Sequence, residues 1–573
     1  MLLLLALGAC GARDPLPQAA TQPTATGPVS LRFQAAPPIV TPDGTILATA
    51  TRDGRTVPLN WTVLLRQGQS YGGPPFGTVP DAQGKPLSLG HGSMTCSGPD
   101  FNGLFDLYGQ TWLLTHMECN PAALYRTRLQ RAEGGPLTVV DSLPSPLTVA
   151  EGLNDLCAGS VTPWTSLLSG EEYDTDAALL VNGVVPKQPE GKADGKDYYD
   201  QGNYAAVRRY MAGETQPSPY LWGWMVESRV LDTAGSTQNA KRYALGRFSH
   251  ELGVVMPDRK TVYMSDDSSH GILAMFVADQ PDDLSAGTLW VSRWDGGDQG
   301  VKLSWVSLGH ATDEEIRAAI DDGIRFEDLF ERAPIQGGAC PEGYQPSRAP
   351  QSVDECLRPR PGRELLASRL ETRRAAGLAG ASLELSKEEG VALDAEGHHL
   401  YVATTRHANG MLADDPPSPG RDHLRVSPNR CGSVWQLDVG GGQQDLGGTP
   451  IPSDWVASVA REAVVGKPSG ETCDTSSISS PDNLAFVPAE LGSGEQGVLL
   501  IAEDTDQRDP NRLWAWQDGR LVELYDSPIG ATSQHSPEIS GLSWVPGASG
   551  ASWITVSLQH GEMGGMVGVF GPF

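Results

Sequence analysis

The chain has 573 residues, among them 67 Gly, 44 Pro and 14 Trp. Asp and Glu outnumber Lys and Arg by 70 to 42, for a formal net charge of −28, and no basic patch stands out, which argues against nucleic acid as a partner. The Gly, Pro and Trp content suits many short strands and turns, and an all-β chain of this length can fold as one domain.

In chain order, residues 1–10 (MLLLLALGAC) form an apolar run too short to span a bilayer. It reads as a lipoprotein-type signal that leaves Cys10 as a lipid-bearing N-terminus; an ordinary export signal is the alternative. Residues 11–30 are rich in Pro, Thr and Ala and read as a disordered tether. Residues 31–573 read as a single domain. Short apolar runs separated by Gly, Pro and Asp turns predict strands from 31 to about 110. The segment QTWLLTHME, ending at Glu118, is an incomplete copy of a pattern that then recurs five times: Cys157 to Glu172, Glu251 to Asp267, Glu389 to Thr405, Asp482 to Asp504 and Glu538 to Gln559. In each copy a polar residue opens an apolar run, a turn follows, and a second apolar run closes on a polar residue. Helical spacing appears at 311–333 and 362–381, and polar loops at 187–202 and 407–430.

A two-stranded hairpin brings its first and last residues together. Hairpins arranged radially would collect all those ends on one face, so the expected fold is an all-β, six-bladed β-propeller-like domain with helical insertions. The ends would gather Glu118, Cys157, Glu172, Glu251, Asp266, Asp267, Glu389, Asp482, Asp504 and Glu538. So many carboxylates cannot share a small volume as bare anions, and multivalent cations are the natural remedy. Carboxylates suit Ca²⁺, whereas a thiolate suits a softer metal such as iron or zinc. Each residue also has a plainer reading: Cys157 as a buried thiol or disulfide partner, Asp266-Asp267 as a turn cap, His250 as a structural histidine. No GxSxG, HExxH or Walker loop is present. With Cys10 and Cys157 set aside, six cysteines remain, as expected of an exported, disulfide-bonded protein; they allow fifteen pairings, of which Cys340–Cys356 is the most local.

Several segments together resemble the PhoX-type alkaline phosphatases. Residues 155–172 (DLCAGSVTPWTSLLSGEE) resemble a family block of the form NCAGG-TPWG-T-L-CEE. Gly246-Arg247-Phe248-Ser249-His250-Glu251 resembles the GRF-HE block. Thr372-Arg373-Arg374-Ala375-Ala376 through Glu389, Pro481-Asp482-Asn483-Leu484, and the LLTHME ending at Glu118 resemble three further blocks in the same order. The resemblance implies a propeller holding a calcium–iron (Ca²⁺, Fe³⁺) cluster, hydrolysis of small-molecule phosphate monoesters, and a periplasmic or cell-surface location. The chain is expected to be monomeric, with membrane contact only through lipid on Cys10. By position, Cys157 would ligate iron, and Glu172, Glu251 and Glu389 would bind the cluster. Asp482 and Glu538 would bind calcium, with Glu118, Asp267 and Asp504 as further ligands. Lys387 stands where the family carries an arginine and would hold the substrate phosphate as the catalytic cation. Ser160 and Thr165 replace glycines of the family block, Gly170 replaces its second cysteine, and the closing block reads LQHGEMGG. Two other readings compete: a calcium-dependent propeller lactonase or esterase, suggested by Asp482-Asn483-Leu484-Ala485-Phe486, and a non-catalytic interaction module.

Overall fold

The protein is described by a computed structural model over residues 31–573, apart from residues 53, 89–92, 132–134, 148–150, 180–209, 211–216, 349–353, 414–421, 490–495, 530–535, 547–550 and 562. Residues 1–30, including the expected signal and the expected lipid attachment at Cys10, lie outside the described residues, as does the whole of the expected loop 187–202.

Period-two alternation sets the strands: in Gly44–Arg52 the side chains of Ile46, Ala48 and Ala50 turn inward while Thr45, Leu47 and Thr49 are more exposed. The recurring pattern does form hairpins. They are β1 (Pro99–Leu107) with β2 (Gln110–Met117), β3 (Leu156–Val161) with β4 (Leu167–Glu171), β5 (His250–Val255) with β6 (Thr261–Asp266), β7 (Gly390–Asp394) with β8 (His399–Thr404), β9 (Pro481–Val487) with β10 (Val498–Glu503), and β11 (Glu538–Val545) with β12 (Trp553–Gln559). The opening strands β1, β3, β5, β7, β9 and β11 pack side by side in succession, and β11 packs against β1. Close approach demands glycine here. A Cβ on Gly390 would lie 2.1 Å from the Asp482 carbonyl oxygen, and one on Gly170 would lie 2.1 Å from that of His250.

The sheets correct the expected six-bladed propeller. They have 7, 14, 3, 2, 4 and 4 strands, all are open, and among the described residues no sheet closes into a barrel or propeller. The reason lies in pairing that crosses from one hairpin group to the next. Ser169 pairs with Leu252, and Val301 and Lys302 at the start of the long strand Gly300–Thr312 pair with Ala460 and Val459, so strands from Leu156 to Val465 join one 14-stranded sheet. In the 7-stranded sheet, Thr45 and Ile46 near the N-terminus pair with Asp526 and Tyr525. Likewise Trp61–Arg66 pairs antiparallel with the C-terminal strand Met566–Phe570. The ends of the hairpins therefore meet through packing of the opening strands, which a recurring sequence pattern does encode, and not through closure of a sheet.

Both expected helical segments form, each as two pieces. They are α1 (Asp313–Asp321), α2 (Phe326–Leu329), α3 (Glu364–Leu370) and α4 (Thr372–Ala379). Thr312 starts α1 with a capping box: its hydroxyl accepts from Glu315 N–H at 3.1 Å, and the Glu315 carboxylate accepts from Thr312 N–H at 2.9 Å. Three disulfides join Cys96–Cys119, Cys340–Cys356 and Cys431–Cys473, leaving Cys157 as a buried free thiol. Among the described residues, no helix is long and apolar enough to cross a membrane.

Candidate metal centre

Two local devices aim the acids. Three opening strands shift register next to their polar residue: between Pro99 and Asn102, between His250 and Gly253, and between Pro481 and Leu484. Asp100, Glu251 and Asp482 lie in those irregularities, where a bulge bends the strand and redirects a side chain. The second device is one hydrogen bond repeated five times. The N–H of the closing residue donates to the carbonyl two residues before the opener: Glu118 to Gly98 (2.7 Å), Glu172 to Asp155 (3.0 Å), Asp267 to Ser249 (3.0 Å), Thr405 to Lys387 (3.2 Å) and Asp504 to Ser480 (3.2 Å). Each bond fixes a closing side chain beside an opening one. Asp155, Lys387 and Ser480 adopt positive φ of 32°, 53° and 42° at this point, a turn that L residues adopt only at some cost.

The devices converge on Cys157. Its Sγ lies 3.1 Å from Asp100 Oδ2 and 3.1 Å from Glu251 Oε1. Three groups of donor atoms lie within 4.8 Å of one another: Asp100, Cys157 and Glu251; Glu118, Cys157 and Glu172; Glu172, Glu251 and Asp267. Around them, Lys387 Nζ lies 2.9 Å from Asp267 Oδ1 and 3.0 Å from Oδ2, and also contacts Glu389 Oε1. Asn483 donates to Asp482 Oδ1 (2.8 Å) while its own Oδ1 accepts from Gly541 N–H (2.9 Å), so this asparagine orients a neighbour. Gln559 donates to Glu538 Oε1 (2.6 Å), and His560 Nδ1 lies 3.4 Å from Glu538 Oε2. Asp100, Cys157, Glu172, Glu251, Asp267, Glu389 and Asp482 are buried; Glu118, Glu538 and Lys387 are half-buried; Asp504 and His560 are exposed. The site is thus a funnel with the thiol at its base.

Crowding shapes the protonation states. Burial, then the Glu251 and Asp100 carboxylates, push the Cys157 thiol well up. Burial and Asp267 raise Glu172, and burial with Glu389 and Asp100 raises Glu251. Burial and Glu118 raise Asp100, and burial and Glu538 raise Asp482. Asp267 goes the other way: burial opposes its charge, but Lys387 together with hydrogen bonds from Glu172 and Glu389 holds it low. Lys387 mirrors this, its ammonium favoured by Asp267 and Glu389 against burial.

The donor set fits a mixed metal centre. A thiol has one hydrogen and cannot donate to Asp100 and Glu251 at once, whereas a sulfur and two carboxylates can share a cation. Asp100 Oδ1, buried at the base, has no hydrogen-bond partner. Cys157, Glu118, Glu172, Glu251 and Asp267 belong to the tight groups; Glu389, Asp482, Asp504 and Glu538 lie around them. Asp266 faces the opposite way, toward Arg373 of α4 (3.3 Å) and Ile272 N–H (3.2 Å). His250 is structural, with Nε2 2.9 Å from the Gly246 carbonyl. Sequence reasoning missed Asp100, because the first copy was read only from Gln110 onward. The signal was there: Pro99-Asp100 opens β1 as Pro481-Asp482 opens β9.

Residues 141–548 match the family model described as alkaline phosphatase PhoX. Among solved structures, the chain is similar to PhoX of Pseudomonas fluorescens in complex with vanadate, a transition state analogue. Identity is 18%, over 95% of this chain and 98% of that one, with a TM-score of 0.59, a likeness of fold. Similarity to Saccharomyces cerevisiae Sqt1 is far weaker, at 8% identity over 83% of this chain and 100% of that one, with a TM-score of 0.29. No curated protein matches the chain.

Proposed function

Because the chain belongs to the alkaline phosphatase PhoX family, we propose that it hydrolyses phosphate monoesters at a calcium–iron centre built on Cys157. The observation that carries this reading is the Cys157 sulfur 3.1 Å from two buried carboxylates, at the base of a funnel of acids. Cys157, with Asp100 and Glu251, is assigned the softer metal; Glu118, Glu172, Asp267, Asp482 and Glu538 are assigned calcium, with Asp504 at the rim and Glu389 paired with Lys387. Bound there, the ions would supply Lewis-acid polarisation of the ester and activation of the attacking water. The chain's own residues do the rest. The buried carboxylates fix the geometry, and the bulges and repeated hydrogen bonds hold them against their mutual repulsion. Lys387, half-exposed above the base, meets a phosphate oxygen with its ammonium. The negative rim at Asp504 and Glu538 repels free anions unless cations neutralise it, which ties substrate entry to metal loading. No side-chain nucleophile is required, since Cys157 is committed to the metal and buried away from the mouth.

Three disulfides suit an oxidising compartment, and we assign the protein to the exported class with small phosphate esters as substrates. The test is elemental analysis of protein purified without chelators, alongside turnover of p-nitrophenyl phosphate. Iron and calcium together, with turnover lost on chelation and restored by calcium, support the reading. Calcium without iron overturns the role of Cys157, and a metal-free, inactive protein overturns the reading as a whole.

A further inference from the structure

The hairpin β7–β8 departs from the others in two places, both at the site. Its closing residue is Thr405, where four other hairpins close on Glu118, Glu172, Asp267 and Asp504. Two residues before its opener stands Lys387, where the others carry Gly98, Asp155, Ser249, Ser480 and Ser536. The same backbone bond, Thr405 N–H to the Lys387 carbonyl at 3.2 Å, ties the two departures together. At this edge of the funnel the hairpin therefore presents a hydroxyl where four others present an acid, and a base where the others carry a small or acidic residue.

The lysine is placed as an ion would be. Its Nζ straddles the Asp267 carboxylate, 2.9 Å from Oδ1 and 3.0 Å from Oδ2, and touches Glu389 Oε1. The carboxylates are almost fully enclosed, at 4% and 6% side-chain exposure, while the lysine side chain is 28% exposed. This is unlike a surface ion pair, which contributes little. A compact ammonium with three donors can fill a cavity between carboxylate oxygens as a point charge, which a planar guanidinium cannot. The two carboxylates it spans differ in their other company: Asp267 also belongs to a tight donor group, but Glu389 belongs to none.

We propose that the Lys387 ammonium is a built-in cation that occupies the place a calcium ion would otherwise take between Asp267 and Glu389. The chain then carries one ion fewer than its acids would hold, and the group that neutralises this edge is the same one that faces the phosphate. The inference rests on the metal-centre reading above, and its test separates the two. Calcium bound per chain is counted by calorimetry and elemental analysis for the wild type, Lys387→Gln and Lys387→Met, with thermal unfolding followed at increasing calcium. The variants are expected to bind about one more calcium per chain than the wild type, and to gain more in Tm on calcium addition. Equal or lower calcium in both variants overturns the inference while leaving the metal centre standing. A variant that is unfolded without calcium and folds with it supports the inference; one that calcium does not rescue overturns it. A wild type that binds no metal overturns the metal-centre reading itself.

Discussion

Stripping the metal should make the protein sensitive to alkali, and the geometry sets the scale. Glu172, Glu251 and Asp267 present oxygens within 4.8 Å of one another. At an effective dielectric near 20, each pair of full charges at that distance repels by about 3.5 kcal/mol, hence roughly 10 kcal/mol for three pairs. That is comparable with the whole stability of a typical domain, about 5–15 kcal/mol. Lys387 keeps Asp267 ionised, so the relief falls on Glu172 and Glu251, whose folded-state pKa values burial and neighbouring acids raise. The sign follows. A carboxyl raised in the folded state binds its proton more tightly there than in the unfolded chain, so stability is present at low pH and lost as pH rises through the folded value. Each retained proton costs about 1.4 kcal/mol per pH unit over that window. We expect chelated protein to lose stability as pH rises above the unfolded carboxyl range near 4.5, measured by urea unfolding at fixed ionic strength. Added calcium should flatten the profile, each ion contributing about 2.7 kcal/mol at a hundredfold excess over its Kd. A chelated protein with a flat profile, unmoved by calcium, would refute the reasoning, because the three acids would then not be sharing one volume.

Other consequences are more local. Cys157→Ser should fold, since a hydroxyl can still donate to Asp100 or Glu251, but should lose its iron while keeping calcium; full iron retention by elemental analysis would remove the sulfur from the centre. Gly170→Cys, which installs the residue of the family pattern, places a Cβ 2.1 Å from the His250 carbonyl and should cost about 1–3 kcal/mol in denaturant unfolding. An unchanged midpoint would show that β4 and β5 can part there. Burial alone would raise Glu227, but Arg242, Arg229, Trp164 and Ser166 draw it down to about 2. Its contribution is therefore present above the unfolded value near 4.5 and lost as pH falls toward 2. Glu227→Gln should remove about 3 kcal/mol at neutral pH and abolish that acid-side slope, and a slope that persists would assign it to other groups.

The site was more legible than the sheets, for a physical reason. Hairpins are local: Glu251 and Asp267 are brought together by one turn, and the apolar runs between them declare it. The repeated bond from closing N–H to the carbonyl before the opener depends only on that local geometry. Sheet membership depends on partners the sequence does not mark. Nothing near Thr45 announces Asp526, and nothing near Val301 announces Ala460, so recurring hairpins suggested separate radial units where neighbouring groups are in fact laddered together. Asp100 was missed through a choice of boundary, although its Pro-Asp opening matched that of β9. The cysteine pairing was equally out of reach, because Cys431 and Cys473 lie 42 residues apart and are joined only by the fold. Lys387 was visible as a departure, but its partners on Asp267 and Glu389 were not, since they come from two hairpins.

The ladder between Trp61–Arg66 and Met566–Phe570 joins segments 500 residues apart, with Met566 opposite Arg66. A ribosome makes the second partner long after the first. Until Met566–Phe570 is made, Trp61–Arg66 has no partner in the sheet that also carries β11 and β12. Closing a loop of about 500 residues carries a large entropic cost, so this strand pair should form late in folding and add its stability to the sheet only after the local hairpins have formed.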